Sequence, residues 1–142
     1  MTAEIRLVLD ANILLRAVFG SRVRGLLETH EDRVSFYTPD VCFRDAQRYV
    51  PAISASRRFD PAAGLQVLNE LARLVEIVDQ SLYAEYEPPA RERMQSRDMT
   101  DRPIAATALL LHCPVWTEDQ DFFGSGIATW TTNNVELFFR DT

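Results

Sequence analysis

Ile5-Arg6-Leu7-Val8-Leu9-Asp10-Ala11-Asn12-Ile13-Leu14-Leu15 is an apolar strand that stops on a carboxylate and passes at once into an apolar helix. In an open parallel sheet the carboxyl ends of the strands form the ligand crevice, so a strand that finishes in Asp places an acid where ligands bind. Pro114-Val115-Trp116-Thr117-Glu118-Asp119-Gln120-Asp121-Phe122 repeats the arrangement near the far end of the chain. Two strands that both run into Asp predict one shared acidic crevice, chemically suited to a hard metal ion.

Working outward from these two runs, apolar periodicity alternates between strand and helix. Strands are expected at Ile5–Leu9, Val34–Thr38, Leu74–Val78, Pro114–Trp116 and Ala128–Thr131. Helices are expected from Ile13 to about Gly20, over Arg22–Glu31, and from a cap at Asp40 until Pro51 disturbs the pattern. Asp60-Pro61 opens the next helix with a cap and a first-turn proline, Leu65, Leu68 and Leu71 forming its apolar face. A charged helix over Tyr83–Gln95, which Pro88 and Pro89 either open or interrupt, an almost wholly apolar one over Asp101–Leu111 and a short one over Asn134–Phe139 complete the reading. Strict alternation of this kind means an α/β fold, a central parallel sheet of about five strands with helices on both faces. The 142 residues and 46% hydrophobic content suit a single domain covering 1–142 with a sizeable core.

Composition excludes several function classes. All 15 basic residues are Arg, so lysine Schiff bases and P-loop lysine contacts are closed, and the five glycines never fall into phosphate-loop spacing. Cys42, Cys113, His30 and His112 cannot assemble a zinc site of the usual spacing; the thiols read as small buried residues in a reducing compartment. No apolar run approaches the ~18 residues of a membrane span and Glu4 stands where a signal peptide would be basic, so no membrane contact is expected and the cytoplasm is the expected location. The net charge of −6 argues against gripping nucleic acid by bulk charge, not against an enzyme that visits it.

Four acids carry the functional reading. Asp10 ends the first strand, and Asn12 is positioned to cap the following helix, which releases Asp10 to act as a ligand. Asp101 opens the buried helix, where small residues allow close approach to the sheet and Thr100 offers an alternative cap. Asp119 and Asp121 follow the fourth strand between aromatic Trp116, Phe122 and Phe123. Asp45 lies one or two turns into the second-strand helix, where a solvated helix face explains a lone acid equally well; Asp40, Asp98 and Glu118 read as surface or capping residues. Carboxylates gathered at one sheet end cannot all stay ionised without a cation. Mg2+ or Mn2+, one or two ions, prefers oxygen ligands and bridges to phosphate, and two ions would cancel four of the six negative charges.

On these motifs the chain resembles the PIN-domain nucleases, and within them the VapC-like toxins of toxin–antitoxin pairs. Val8-Leu9-Asp10-Ala11-Asn12 looks like the first acidic motif, Asp101-Arg102-Pro103-Ile104-Ala105-Ala106-Thr107-Ala108 like the third, and Thr117-Glu118-Asp119-Gln120-Asp121-Phe122 like the fourth. The second motif departs: Asp45 stands where the family usually has Glu. The resemblance implies a three-layer α/β/α fold with sheet order 3-2-1-4-5, and metal-dependent hydrolysis of RNA phosphodiesters. Asp10, Asp101 and Asp119 would hold the metal; Asp45 would bind a second ion or orient the water. Asn12, Thr117 and Asp121 would support the ligand carboxylates. Arg44, Arg48 and Arg102, with Arg57, Arg58, Arg91, Arg93 and Arg97, are candidates to hold flanking phosphates, each equally explicable as a solvated helix residue. A cognate antitoxin and a homodimer are the implied protein partners. The competing reading is a PIN fold retained as a catalytically weak or inactive module that binds RNA or protein.

Overall fold

The computed structural model describes residues 5–94, 101–122 and 124–140. The sheet has five parallel strands in the order 3-2-1-4-5, from β1 (Ile5–Leu9), β2 (Val34–Pro39), β3 (Val75–Val78), β4 (Val115–Trp116) and β5 (Thr129–Trp130). β1 is buried on both faces, which is why it reads as a continuous apolar run and not as an alternating one. Its pleat still divides the core: Leu7 and Leu9 join one cluster with Ile13, Leu14, Phe36 and Trp116, while Val8 joins another with Tyr83, Ala105 and Val115.

The first cluster is covered by α1 (Ala11–Phe19), α2 (Ser21–His30), α3 (Asp40–Ser56), α4 (Pro61–Leu71) and, through Val135 and Phe139, a C-terminal helix. The second is covered by α5 (Gln80–Tyr83), α6 (Glu87–Arg93) and α7 (Arg102–Leu111), so α8 is the C-terminal Val135–Arg140. This is the expected three-layer architecture, and no helix among the described residues is long and apolar enough to cross a membrane.

Three local expectations are corrected. The helix after β2 does not stop at Pro51; α3 runs 17 residues to Ser56 with Pro51 inside it. A proline forfeits one backbone hydrogen bond, but Val50 just before it and Ser54 one turn beyond Val50 are both buried against α4 at Gly64, where a Cβ would come within 2.9 Å of Val50 Cγ1 and 3.0 Å of Ser54 Oγ. That close packing holds the second half of α3 in place. The charged helix does not start at Tyr83: α5 ends there, a 3-10 turn covers Ala84–Tyr86, and α6 begins with Pro88 and Pro89 in its first turn, so of the two roles expected for these prolines they take the opening one, at positions a helix tolerates. Asp40 is not the cap expected of it, since α3 starts at Asp40 itself, directly after Pro39. Its Oδ1 accepts from Tyr83 Oη at 2.7 Å and its Oδ2 from Gln80 N at 3.1 Å, tying α3 to α5, and burial followed by this carboxylate pushes the Tyr83 phenol well above its ordinary range. Gln95, Arg97, Asp98, Thr100 and Phe123 lie outside the described residues.

Candidate metal centre

The register of β1 on β4 pairs Val8 with Val115 and Leu9 with Trp116, so the residues that follow, Asp10 and Thr117, leave the sheet side by side at the point where its winding reverses. Thr117 is buried and its hydroxyl links the two strand ends. It donates to Asp10 Oδ2 at 2.5 Å and accepts from Asp119 N at 2.9 Å. Asp119 Oδ1 in turn accepts from Asp121 N at 2.9 Å, which curls the segment into a turn and brings both acids back over the sheet end. The other face supplies Asp101, buried at the start of α7, with its Oδ2 shielded from solvent. Asp101, Asp119 and Asp121 each bring a carboxylate oxygen within 4.8 Å of the other two.

Asp10 is where the expectation about capping reverses. α1 begins directly at Ala11, and Asp10, with φ −85° and ψ 174°, is its cap, accepting from Ile13 N at 2.9 Å. Asn12 is exposed one residue inside the helix and caps nothing. A capping side chain needs extended backbone, which the strand terminus provides and the helical position of Asn12 does not. Capping and metal binding are compatible in Asp10, since one oxygen faces Ile13 N and the other faces Thr117. Burial raises its pKa above the ordinary carboxylate range; the Thr117 and Ile13 hydrogen bonds pull it back, and the charges of Asp119 and Glu118 push it up again. A carboxylate held in this way gains from a nearby cation.

Asp45 stands apart from this cluster. It lies half-exposed on α3, paired with Arg48 at 3.2 Å. Its charge, like that of Asp10, reaches the buried Cys42 thiol between them; burial first, and then these two acids, raise that thiol far above its usual range. Asp45 therefore faces the rim of the crevice, not its floor. Arg44 and Arg48 are exposed on the same helix, Arg44 4.0 Å from Asp40 and Arg48 over the Tyr49 ring. Arg102 is half-buried at the start of α7 with its Nε shielded and no hydrogen-bond partner for that atom.

Two roles were not legible beforehand. Asp121 lies with the carboxylates that could hold a metal, whereas the resemblance implied a supporting role for it. Glu118 accepts from Thr132 N at 2.8 Å; burial opposes its charge, but that bond and the nearby Arg16 and Arg22 prevail and hold its pKa below the ordinary range. The donor set suits a hard cation: it is all carboxylate, with no sulfur or imidazole among the clustered groups.

A parallel sheet wound 3-2-1-4-5 with carboxylates gathered at its switch point defines a PIN-like α/β domain, and the family comparison agrees. The PIN domain model matches residues 8–140, and the chain belongs to that family. A comparison with curated proteins finds no match. Among solved structures, the fold is similar to VapBC2 from Rickettsia felis bound to a DNA fragment from their promoter, with 16% identity over 89% of this chain and 98% of that one and a TM-score of 0.66. It is similar to PAE2754 from Pyrobaculum aerophilum, with 14% identity, coverage of 97% and 91%, and a TM-score of 0.71. DNA-bound VapBC from Salmonella typhimurium gives 16% identity, coverage of 90% and 98%, and a TM-score of 0.68.

Proposed function

We propose that this PIN domain is a Mg2+- or Mn2+-dependent ribonuclease that hydrolyses RNA phosphodiester bonds, and that it serves as the toxin of a VapBC-type pair. The observation that carries the reading is the convergence of Asp101, Asp119 and Asp121 at the end of the sheet, with Asp10 joined to them through Thr117. Asp101, Asp119 and Asp10 would hold the metal, and Asp121 would add a ligand or support Asp119. A divalent ion bound there supplies a more acidic water and a positive charge for the leaving oxygen. Thr117 fixes the angle between Asp10 and the Asp119 turn, so the ligands are arranged before substrate arrives. Asp45, at the rim, orients water once Arg48 swings towards a phosphate of the substrate.

The toxin assignment rests on the likeness to VapBC structures and to a toxin–antitoxin complex from Klebsiella pneumoniae. The partner that follows is an antitoxin that covers the crevice; a second copy of this chain is a further partner. The second reading, a PIN fold that binds without cutting, is favoured by one observation, the pairing of Asp45 with Arg48 away from the other acids. Purified protein incubated with mixed RNA in Mg2+, Mn2+ or EDTA, beside Asp10→Asn, separates the two. Cleavage that requires metal and is lost in the variant supports the ribonuclease. Binding without cleavage in either metal supports the module.

A further inference from the structure

A cavity of about 470 Å3 opens beside the metal centre, along the outer side of α1. Its rim includes Asn12, two residues beyond Asp10, and Glu118, one residue before Asp119, so it reaches the two strand ends that carry those acids. In a chain of net charge −6, three arginines line this one cavity: Arg16, Arg22 and Arg57. Among the described residues of the lining the only acid is Glu118, which already accepts a backbone hydrogen bond from Thr132. Arg22 is held at the wall by Asn133 Oδ1 at 2.9 Å and Thr132 O at 3.4 Å. Arg57 lies over the ring of Phe19, 5.2 Å from its centroid, so the apolar side of the cavity carries an aromatic with a guanidinium on it.

We propose that this cavity is a nucleotide subsite for single-stranded RNA, holding the nucleotide next to the bond positioned at the carboxylates. Arg16, Arg22 and Arg57 take its phosphate, and the apolar wall with Phe19 takes its base. This rests on the ribonuclease reading and extends it to the path of the substrate. Three observations select RNA. The excess of guanidinium suits phosphate, which Arg binds with paired hydrogen bonds. An aromatic beside a guanidinium suits an unstacked base. The volume lies within the range of small-ligand sites and too small for a duplex. An acidic peptide would use the charges but not the nearness of Asn12 and Glu118 to the acids at the two strand ends.

The test is binding of a short unstructured RNA oligonucleotide in EDTA, where nothing is cut, followed by fluorescence anisotropy over a range of salt. Arg16→Gln/Arg57→Gln is compared with wild type and with a control of equal net charge, Arg73→Gln/Arg140→Gln, on exposed residues away from the cavity. Exposed Arg16 also allows a reversal, Arg16→Glu, in a chain otherwise untouched. Each lost phosphate contact lowers the slope of log K against log salt by about 0.7 on a single strand. With the contact to that one phosphate lost, the double variant is expected to lose about 0.7 in slope and roughly tenfold in affinity, and the control neither. Equal behaviour of double variant and control, or an oligo-glutamate peptide that depends on Arg16 and Arg57 when RNA does not, overturns the subsite. Metal-dependent cleavage by wild type alongside that result leaves the ribonuclease standing. Arginine-dependent RNA binding without any cleavage leaves the subsite standing and removes the ribonuclease.

Discussion

Replacing Asp10 by Asn should stabilise the metal-free protein and destabilise it relative to wild type once metal is present. Asp10 is 5% exposed, and Asn keeps its shape. The Asn carbonyl can still accept from Ile13 N, so the cap survives. Its amide faces Thr117, whose hydroxyl must then accept where it now donates, while still accepting from Asp119 N. The hydrogen-bond count is nearly conserved, whereas the desolvated charge and its repulsion by Asp119 and Glu118 are removed. Relief of this kind is worth about 1–2 kcal/mol, or roughly 3–8 °C in Tm for a chain of this size. The sign with pH follows from the raised pKa of Asp10. The folded state holds that proton more tightly than the unfolded state, so ionisation costs stability as pH rises through the folded value and costs nothing below the unfolded one. The advantage of Asn should therefore be small near about pH 4 and complete near about pH 8. Mg2+ at ~100 times its Kd adds about 2.7 kcal/mol to whichever protein binds it. Thermal melts in EDTA and in Mg2+ should thus cross, the variant more stable in EDTA and wild type more stable in metal. A variant that melts lower than wild type by the same amount at every pH, with equal gains in Mg2+, would refute the reasoning and leave Asp10 as a structural cap.

Other substitutions separate the site from the scaffold. Thr117→Val removes the hydroxyl between Asp10 and Asp119 and should lower cleavage about 10–100-fold, with Thr117→Ser restoring most of it; single-turnover rates decide. Asp45→Asn breaks an exposed pair with Arg48 worth less than about 0.5 kcal/mol, so a large loss of cleavage at unchanged Tm would show that Asp45 acts at the site. Tyr83→Phe removes the bond to Asp40 and should cost about 1.5–3 kcal/mol by urea unfolding, leaving metal-dependent cleavage intact.

The strands were legible because each is a short apolar run followed by a break, and all five lie within about a residue of their expected bounds. Their order came from the resemblance, and it is the register of β1 on β4 that turns two distant acids into neighbours. What escaped the sequence depends on contacts between distant segments. Nothing local announces that Asp40 will accept from Tyr83, or that Gly64 will let α4 close on Val50 and carry α3 past Pro51. The cap at Asp10 was misjudged because Asn and Asp are both good caps, and the choice depends on where extended backbone ends. The arginine-lined cavity draws on Arg16, Arg22, Arg57 and Glu118, too scattered along the chain to read as a patch.

The account depends most on a divalent ion held by this set of acids. Crystals soaked in Mn2+ and measured at its absorption edge would locate it by anomalous scattering. The account predicts a peak among the carboxylates of Asp101, Asp119 and Asp121, on the side facing Asp10, and its loss in Asp101→Asn/Asp119→Asn. A peak elsewhere, or none in crystals whose carboxylate cluster is intact, would contradict it.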